Sequence, residues 1–196
     1  MIRLWLLLVR LVDRAPVTKH LKWRPPLRRL WMPVRTAPLV SPSLRFLVFE
    51  LLRRRGERRY RLRETGLSTA VRHPLNDMWI LDEIFLQRVY EPPREVARIV
   101  DGLGRAPKVL DLGGHAGNFA LFALGRWSGA TVTSFEPNPD NARLLDASRA
   151  ANGVDGRWTL VRAAAGAAPG TLRVSGESFF SKVGAEAGAE VEVRDV

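Results

Sequence analysis

The second half of the chain alternates short apolar runs with segments of helical periodicity. The runs Val109–Leu112, Thr131–Phe135 and Trp158–Ala163 have the length and branched-residue content of buried strands. The segments Asn118–Trp127 and Asp140–Ala151 place apolar residues three and four positions apart, which predicts amphipathic helices. Strand, helix, strand, helix, strand at this spacing predicts an α/β fold with a doubly wound, Rossmann-like parallel sheet.

Further elements are predicted on both sides of this unit. Two short strands and two helices precede it, and two segments that alternate like strands follow it. The preceding elements are Arg59–Arg63, Ser68–His73, Met78–Tyr90 and Pro92–Val100, and the following segments are Thr171–Val174 and Glu190–Arg194.

The first 58 residues follow a different pattern. Met1–Val12 is apolar except for Arg3 and Arg10, and it is too short and too charged to span a bilayer. Its pattern predicts an amphipathic helix that lies in a membrane interface or against a partner. Six prolines between Arg14 and Pro42 predict an irregular basic linker, after which residues 43–55 return to helical periodicity.

The charge divides the chain in the same way. The net charge is +11, and residues 1–72 hold 18 of the 31 basic residues but only 4 of the 20 acidic residues. We therefore expect two parts: a basic extension with prolines, tryptophans and amphipathic helices over 1–58, and an α/β domain over 59–196. Three roles stay open for the extension: loose packing on the domain, peripheral membrane contact through residues 1–35, and nucleic-acid binding. Nucleic acid is the least favoured because no known binding motif is present.

The absence of cysteine narrows the chemistry. A chain with no cysteine has no disulfide, no thiolate zinc site and no cysteine nucleophile. Its three histidines, His20, His73 and His115, are too far apart for a local metal motif, so no metal site is predicted. This composition is compatible with a reducing cytoplasm, with peripheral contact at the inner membrane face.

A glycine-rich turn joins the first strand of the parallel unit to its helix, which is typical of a nucleotide site. The dinucleotide fingerprint fails, because His115 and Asn118 stand where its second and third glycines belong. Glu136 ends the next strand, 25 residues after Asp111, and such an acid can accept hydrogen bonds from ribose hydroxyls. Acids beside the loop favour a cationic, phosphate-free cofactor, and S-adenosylmethionine fits that description.

With these motifs the chain resembles the FkbM-type methyltransferases over roughly residues 59–196. The stretches that carry the resemblance are VRHPLNDMWILDEIFLQRVY (71–90), VLDLGGHAGNFA (109–120), SFEPNPDNARLL (134–145), Asn152, the AAAG stretch ending at Gly166, and ESFFSK (177–182). The resemblance implies an S-adenosylmethionine-dependent enzyme that methylates a hydroxyl of a sugar, another glycan or a secondary metabolite.

The resemblance also implies a set of cofactor-binding residues but no catalytic residue. The implied set is Asp111, Gly113, Gly114, His115, Gly117, Asn118, Glu136, Pro137, Asn138 and Ala163. His115 stands where the family commonly has asparagine, so polar contacts to the methionine end of the cofactor are expected to differ. The alternative that stays open is a catalytically incomplete protein that binds S-adenosylmethionine or a membrane surface.

One part of the family pattern is missing. The later acidic strand of the form D-I-E-G has no counterpart before Val196. The resemblance implies that Thr171–Val174 and Glu190–Arg194 form a peripheral hairpin. The parallel sheet is therefore expected to stop after its third strand, leaving one edge of Val109–Leu112 open.

Overall fold

The computed structural model describes residues 25–175, 182–183 and 188–196. Its helices are α1 (Pro25–Thr36), α2 (Ser43–Leu51), α3 (Asp77–Leu81), α4 (Arg94–Asp101), α5 (Asn118–Arg126) and α6 (Pro139–Asn152). Its strands are β1 (Val40–Ser41), β2 (Gly56–Leu62), β3 (Ser68–His73), β4 (Lys108–Leu112), β5 (Thr131–Phe135), β6 (Trp158–Val161), β7 (Ala164–Gly166), β8 (Gly170–Ser175), β9 (Lys182–Val183) and β10 (Ala189–Asp195). The predicted helix Met1–Val12 and the segment 177–181 of ESFFSK lie outside the described residues.

The three strands of the predicted unit form a parallel sheet in the order β4-β5-β6. Leu112 is in register with Phe135, and Phe135 is in register with Val161, so the carboxyl ends of the three strands meet at one edge. The α/β class is therefore confirmed, in an arrangement compatible with a Rossmann-like fold. The third strand ends at Val161 rather than at the predicted Ala163.

Two smaller sheets flank this one. β1, β2 and β3 form an antiparallel sheet before it, and β8 pairs antiparallel with β10 after it, as the hairpin prediction requires. The short strand β7 adds to β10 in parallel. The hairpin belongs to a separate sheet, so among the described strands β4 pairs with β5 alone. Its other edge is open, and the side chains of Leu110 and Leu112 are 50% and 57% exposed.

Residues 25–36 correct one prediction, since they form α1 where an irregular linker was expected. Pro25 and Pro26 begin the helix, where a backbone N–H has no intrahelical acceptor, so they do not interrupt it. Pro33 removes one hydrogen bond from the helix interior. The helix persists because Met32 is buried and Arg35 Nε donates to the carboxylate of buried Asp82 over 2.5 Å.

Buried side chains from both sides of residue 58 belong to one hydrophobic cluster. Met32 of α1 and Phe46 of α2 belong to the same buried cluster as Tyr60, Leu121 and Trp158. At this end of the core the Tyr60 hydroxyl lies 2.9 Å from His73 Nε2. The helices of the basic segment thus pack on the core of the α/β part.

The helix predicted over Met78–Tyr90 changes its winding. It is α-helical over Asp77–Leu81, continues as a π-helix over Asp82–Leu86, and ends before Arg88, whose φ is 60°. A π-helical turn contains an extra residue and therefore rotates the side chains that follow it. Such turns are frequent at functional sites, and this one leads Glu83 and Ile84 to the cleft described below.

We expect Phe46→Ala to destabilise the whole domain, because Phe46 is fully buried in the shared core. Removing a buried phenylalanine side chain costs about 3–5 kcal/mol of unfolding free energy. Leu44→Ala, two residues away and 73% exposed, is the matched control and should change stability by less than about 0.5 kcal/mol. Urea denaturation followed by tryptophan fluorescence measures both. Equal, small effects would show that α2 is not part of the core.

Candidate functional site

A cleft of about 340 Å³ opens at the carboxyl end of β4, between the glycine turn and the π-helical segment. Its lining combines carboxylates, glycines and apolar side chains. The lining residues are Ile80, Glu83, Ile84, Tyr90, Leu110, Asp111, Leu112, Gly113, Gly114, His115, Asn118 and Phe119. Parallel α/β sheets bind their ligands outside the carboxyl ends of the strands, and this cleft has that position.

The turn itself is fixed by backbone hydrogen bonds to the neighbouring strand. The N–H groups of Gly113 and Gly114 both donate to the carbonyl oxygen of Phe135, each over 2.9 Å. Three residues of the turn have positive φ: Gly113 at 87°, His115 at 50° and Gly117 at 86°. Gly117 caps the amino end of α5. The conformation therefore needs glycine at 113 and 117, and it places a non-glycine residue, His115, in the left-handed region.

The two end glycines of the turn face different surroundings. A Cβ atom at Gly113 would meet nothing within 4 Å, so this backbone is open to the cleft that it lines. A Cβ atom at Gly117 would lie 2.4 Å from the ring of Trp158. Gly117 is thus required for packing against the core tryptophan, whereas Gly113 leaves room for a ligand to approach the backbone.

Asp111 is a buried carboxylate at the end of β4. Ser134 Oγ donates to its Oδ2 over 2.7 Å, and Trp158 Nε1 donates to Ser134 Oγ over 2.9 Å. Burial raises the pKa of Asp111 to about 6; the Ser134 hydrogen bond opposes the shift and the nearby Glu136 charge adds to it. The carboxyl group is ionised at neutral pH, but at a cost in desolvation.

Glu136 is held behind the turn. Its Oε2 accepts from the backbone N–H of His115 over 2.6 Å, and its Oε1 accepts from the N–H of Asn138 over 2.8 Å. Burial raises the pKa of Glu136, and these two backbone hydrogen bonds oppose the rise. Asn141 Nδ2 makes a third, longer contact to Oε1 at 3.5 Å. A carboxylate has about four acceptor positions, so the two oxygens keep some acceptor capacity beyond these bonds.

A buried arginine that the sequence reasoning missed stands beside the turn. Arg72 forms a two-pronged ion pair with Asp77, with Nε–Oδ2 at 3.0 Å and Nη2–Oδ1 at 2.8 Å. Its Nη1 donates to Asn141 Oδ1 over 2.9 Å, and its Nη2 lies 3.0 Å from His115 Nε2. The arginine donates to that ring nitrogen, which must therefore be unprotonated. The pKa of His115 falls to about 4, chiefly through burial, so the ring is neutral at pH 7.

Asn118 places a buried polar atom in the cleft wall. Its Oδ1 accepts from the Thr69 hydroxyl over 2.8 Å, and the residue is 1% exposed. Its Nδ2 is buried without a hydrogen-bond partner among the described residues. An unpaired buried donor costs free energy, and a ligand acceptor in the cleft would remove that cost.

Glu83 and Tyr90 complete the cleft on the side of the π-helix. Burial raises the pKa of Tyr90, and the charges of Glu83 and Asp111 raise it further. The Tyr90 ring packs against Phe119 with centroids 4.9 Å apart. The cleft thus has acidic groups on two sides and aromatic rings along its wall.

The residues expected at the cofactor site divide into two groups. Five line the cleft: Asp111, Gly113, Gly114, His115 and Asn118. Glu136 reaches the turn through the His115 N–H, while Asn138 caps α6 by accepting from the N–H groups of Asp140 and Asn141. Pro137 lies between Glu136 and Asn138 in the sequence. Gly117 packs on Trp158, and Ala163 is fully buried beyond β6.

No family model and no curated protein matches this chain. The resemblance to the FkbM-type methyltransferases is therefore carried by the residues quoted above alone. Within the described part of the chain, no group of three or more side chains could hold a metal ion. The described helices include none long and apolar enough to cross a bilayer.

The two end glycines of the turn give a matched pair for mutation. Gly113→Ala should cost about 1–2 kcal/mol of stability, from the left-handed backbone alone. Gly117→Ala should cost about 1–3 kcal/mol more, because its Cβ would overlap the ring of Trp158. Urea denaturation of the ligand-free chain measures both. Equal losses for the two variants would contradict the packing role of Gly117.

The raised pKa of Asp111 predicts a pH-dependent stability. Because the folded-state pKa is about 6 against an ordinary 3.8, the stability from this group is fully present below 3.8 and is lost as pH rises through 6. Asp111→Asn should therefore raise the melting temperature at pH 7, and the gain should shrink as the pH falls below 6. Asp155→Asn, at an exposed site, is the control. A variant less stable than the wild type at pH 7 would refute the desolvation argument.

Proposed function

We propose that the chain binds S-adenosylmethionine in the β4 cleft for methyl transfer to a hydroxyl acceptor, as the resemblance implies. One observation carries the proposal: the buried carboxylates of Asp111 and Glu136 lie at the same strand ends as the open backbone of Gly113. Asp111 and Glu83 line the cleft, and Glu136 lies directly behind the turn. This arrangement favours a ligand that has both a positive charge and hydroxyl groups.

The residues present fit that cofactor in three respects. The carboxylates of Asp111 and Glu83 in the cleft lining attract the amino and sulfonium charges. The remaining acceptor capacity of Glu136, behind the turn, suits the ribose hydroxyls, which is the role that an acid in this position has in doubly wound folds. The unpaired Nδ2 of Asn118 is a donor in need of an acceptor, and the carboxylate of the cofactor is one.

When bound, S-adenosylmethionine supplies an electrophilic methyl group. The chain's own contribution is to hold the ligand, to orient it and to exclude water from it. Tyr90 and Phe119 form an apolar wall that limits solvent on one side of the cleft. His115 stays neutral through burial and the Arg72 contact, so it adds no positive charge that would oppose the cofactor.

A nicotinamide dinucleotide fits this cleft less well. Its pyrophosphate would lie beside the carboxylates of Asp111 and Glu136, and like charges in a low-dielectric site repel strongly. The neutral His115 at the turn offers it no counter-charge.

The alternative of binding without turnover has one observation in its favour. The edge of β4 is open among the described strands, and Leu110 and Leu112 in the cleft wall are exposed. A cleft with one open side holds a ligand less firmly and excludes less water. Cofactor affinity and methyl transfer are therefore tested separately.

Calorimetric titration with S-adenosylmethionine tests the cofactor. We expect binding by the wild-type chain and at least about tenfold weaker binding by Asp111→Asn, because the charge attraction is lost. The neutral analogue methylthioadenosine, which lacks the amino acid, should bind both proteins equally. The exposed Asp155→Asn variant controls for the change in net charge.

Three outcomes contradict the cofactor assignment: no heat with S-adenosylmethionine, equal affinity for wild type and Asp111→Asn, or preferential binding of a nicotinamide dinucleotide. Transfer of a labelled methyl group to a panel of sugar hydroxyls is then measured on the same samples. Cofactor binding without any transfer would favour the alternative of a binding protein.

A further inference from the structure

The arginine triplet Arg53–Arg55 lies in the connection between α2 and β2 rather than in a helix. α2 ends at Leu51, and Arg53 adopts a left-handed backbone with φ of 49°. All three side chains are exposed. Because the triplet follows the helix and does not form its last turn, attraction to the helix dipole accounts for little of it.

The surroundings of the triplet do not neutralise it. Residues 44–63 contain eight arginines and only two glutamates, and all eight arginines are exposed. Glu50 is buried against His73, and Glu57 is ion-paired with Arg143. Within the described residues, no ion pair ties any of these eight guanidinium groups to a carboxylate. This part of the surface is therefore strongly positive.

Large apolar side chains are exposed on the same part of the molecule. Leu44 near the start of α2 is 73% exposed, and Leu52, directly after its last residue, is 62% exposed. Leu27 and Leu30 are exposed in the first turns of α1, which packs beside α2. Exposed leucines between arginines form an amphipathic surface, which we call the basic–leucine surface.

A cavity of about 600 Å³ is lined by residues of both α1 and α2. Arg28, Arg29 and Arg53 line it, and Leu30, Leu51 and Trp79 supply apolar lining. Glu50 also lines it, but its carboxylate is paired with His73. The guanidinium of Arg28 lies over the Trp79 ring at 3.9 Å. Three arginines and apolar side chains in one lining suit a molecule with an anionic head and an apolar body.

The leucines distinguish between the two anionic partners that a basic surface can bind. Nucleic-acid phosphates are bound by lysine and arginine, and exposed leucines add nothing to those contacts. A bilayer of anionic lipid uses both groups: arginines attract the headgroups, and leucines enter the boundary between headgroups and acyl chains. In the sequence, α1 also follows directly on residues 1–24, which are themselves basic and apolar.

We propose that the basic–leucine surface binds an anionic lipid bilayer. Arg53–Arg55 and the arginines around the cavity contact headgroup phosphates, while Leu44, Leu52 and Leu30 enter the interface. This surface lies on the folded helices and is additional to any contact made by residues 1–24.

Co-sedimentation of the full chain with vesicles tests the proposal. The vesicles are pure phosphatidylcholine, or phosphatidylcholine mixed with phosphatidylglycerol. We expect binding to the mixed vesicles only, and a loss on the order of 10- to 100-fold in the triple variant R53Q/R54Q/R55Q. The matched control R94Q/R98Q/R105Q removes the same charge from exposed arginines elsewhere and should lose much less.

A second variant separates apolar insertion from charge attraction. L44S/L52S changes two exposed side chains, so the fold should be retained, and circular dichroism checks this. We expect weaker vesicle binding at high salt, where charge attraction is screened and insertion matters most.

Three results overturn the proposal. The first is an equal loss of vesicle binding in R53Q/R54Q/R55Q and in its control, which would assign the binding to net charge or to residues 1–24. The second is unchanged binding of L44S/L52S at high salt. The third is weaker binding of duplex DNA by R53Q/R54Q/R55Q with unchanged binding to vesicles, which would assign the surface to nucleic acid.

Discussion

The buried guanidinium of Arg72 is the constraint on which the cleft depends. A charged group with almost no solvent contact must be paired, because an unpaired one would destabilise the fold by several kcal/mol. Its partners come from three directions: Asp77 at the start of α3, Asn141 in α6, and His115 in the glycine turn. Satisfying this one side chain therefore fixes the β3 strand, the turn and α6 relative to one another. The candidate site is shaped by a residue well upstream of the glycine turn.

Two carboxylates, one lining the cleft and one behind the glycine turn, lie where burial opposes their charge. Asp111 and Glu136 both have raised pKa values, with burial as the largest cause. Ser134 and two backbone N–H groups stabilise the ionised forms without removing the desolvation penalty. The cationic ligand proposed for the cleft would recover part of the electrostatic free energy that burying these charges costs.

Local sequence determined most of the parallel unit. Strand and helix periodicities differ, so alternation between them predicted β4 to β6 and the two helices to within about two residues at each end. End signals were also local: Asn138 caps α6 and Gly153 ends it in a left-handed conformation. The acids at the ends of β4 and β5 could be placed together from sequence, because the carboxyl ends of adjacent parallel strands meet at one edge.

Tertiary contacts decided the rest. The spacing of the prolines predicted no helix at α1. The helix forms because the burial of Met32 and the ion pair of Arg35 with Asp82 outweigh the hydrogen bond that is missing at Pro33. The sequence marked Gly117 as a ligand glycine, but its contact with Trp158 depends on a residue 41 positions later. The Arg72 pairing likewise joins residues up to 69 positions apart. Periodicity records only which face of an element is apolar. It carries no information on which distant side chain will lie against that face, so only the folded chain could determine these contacts.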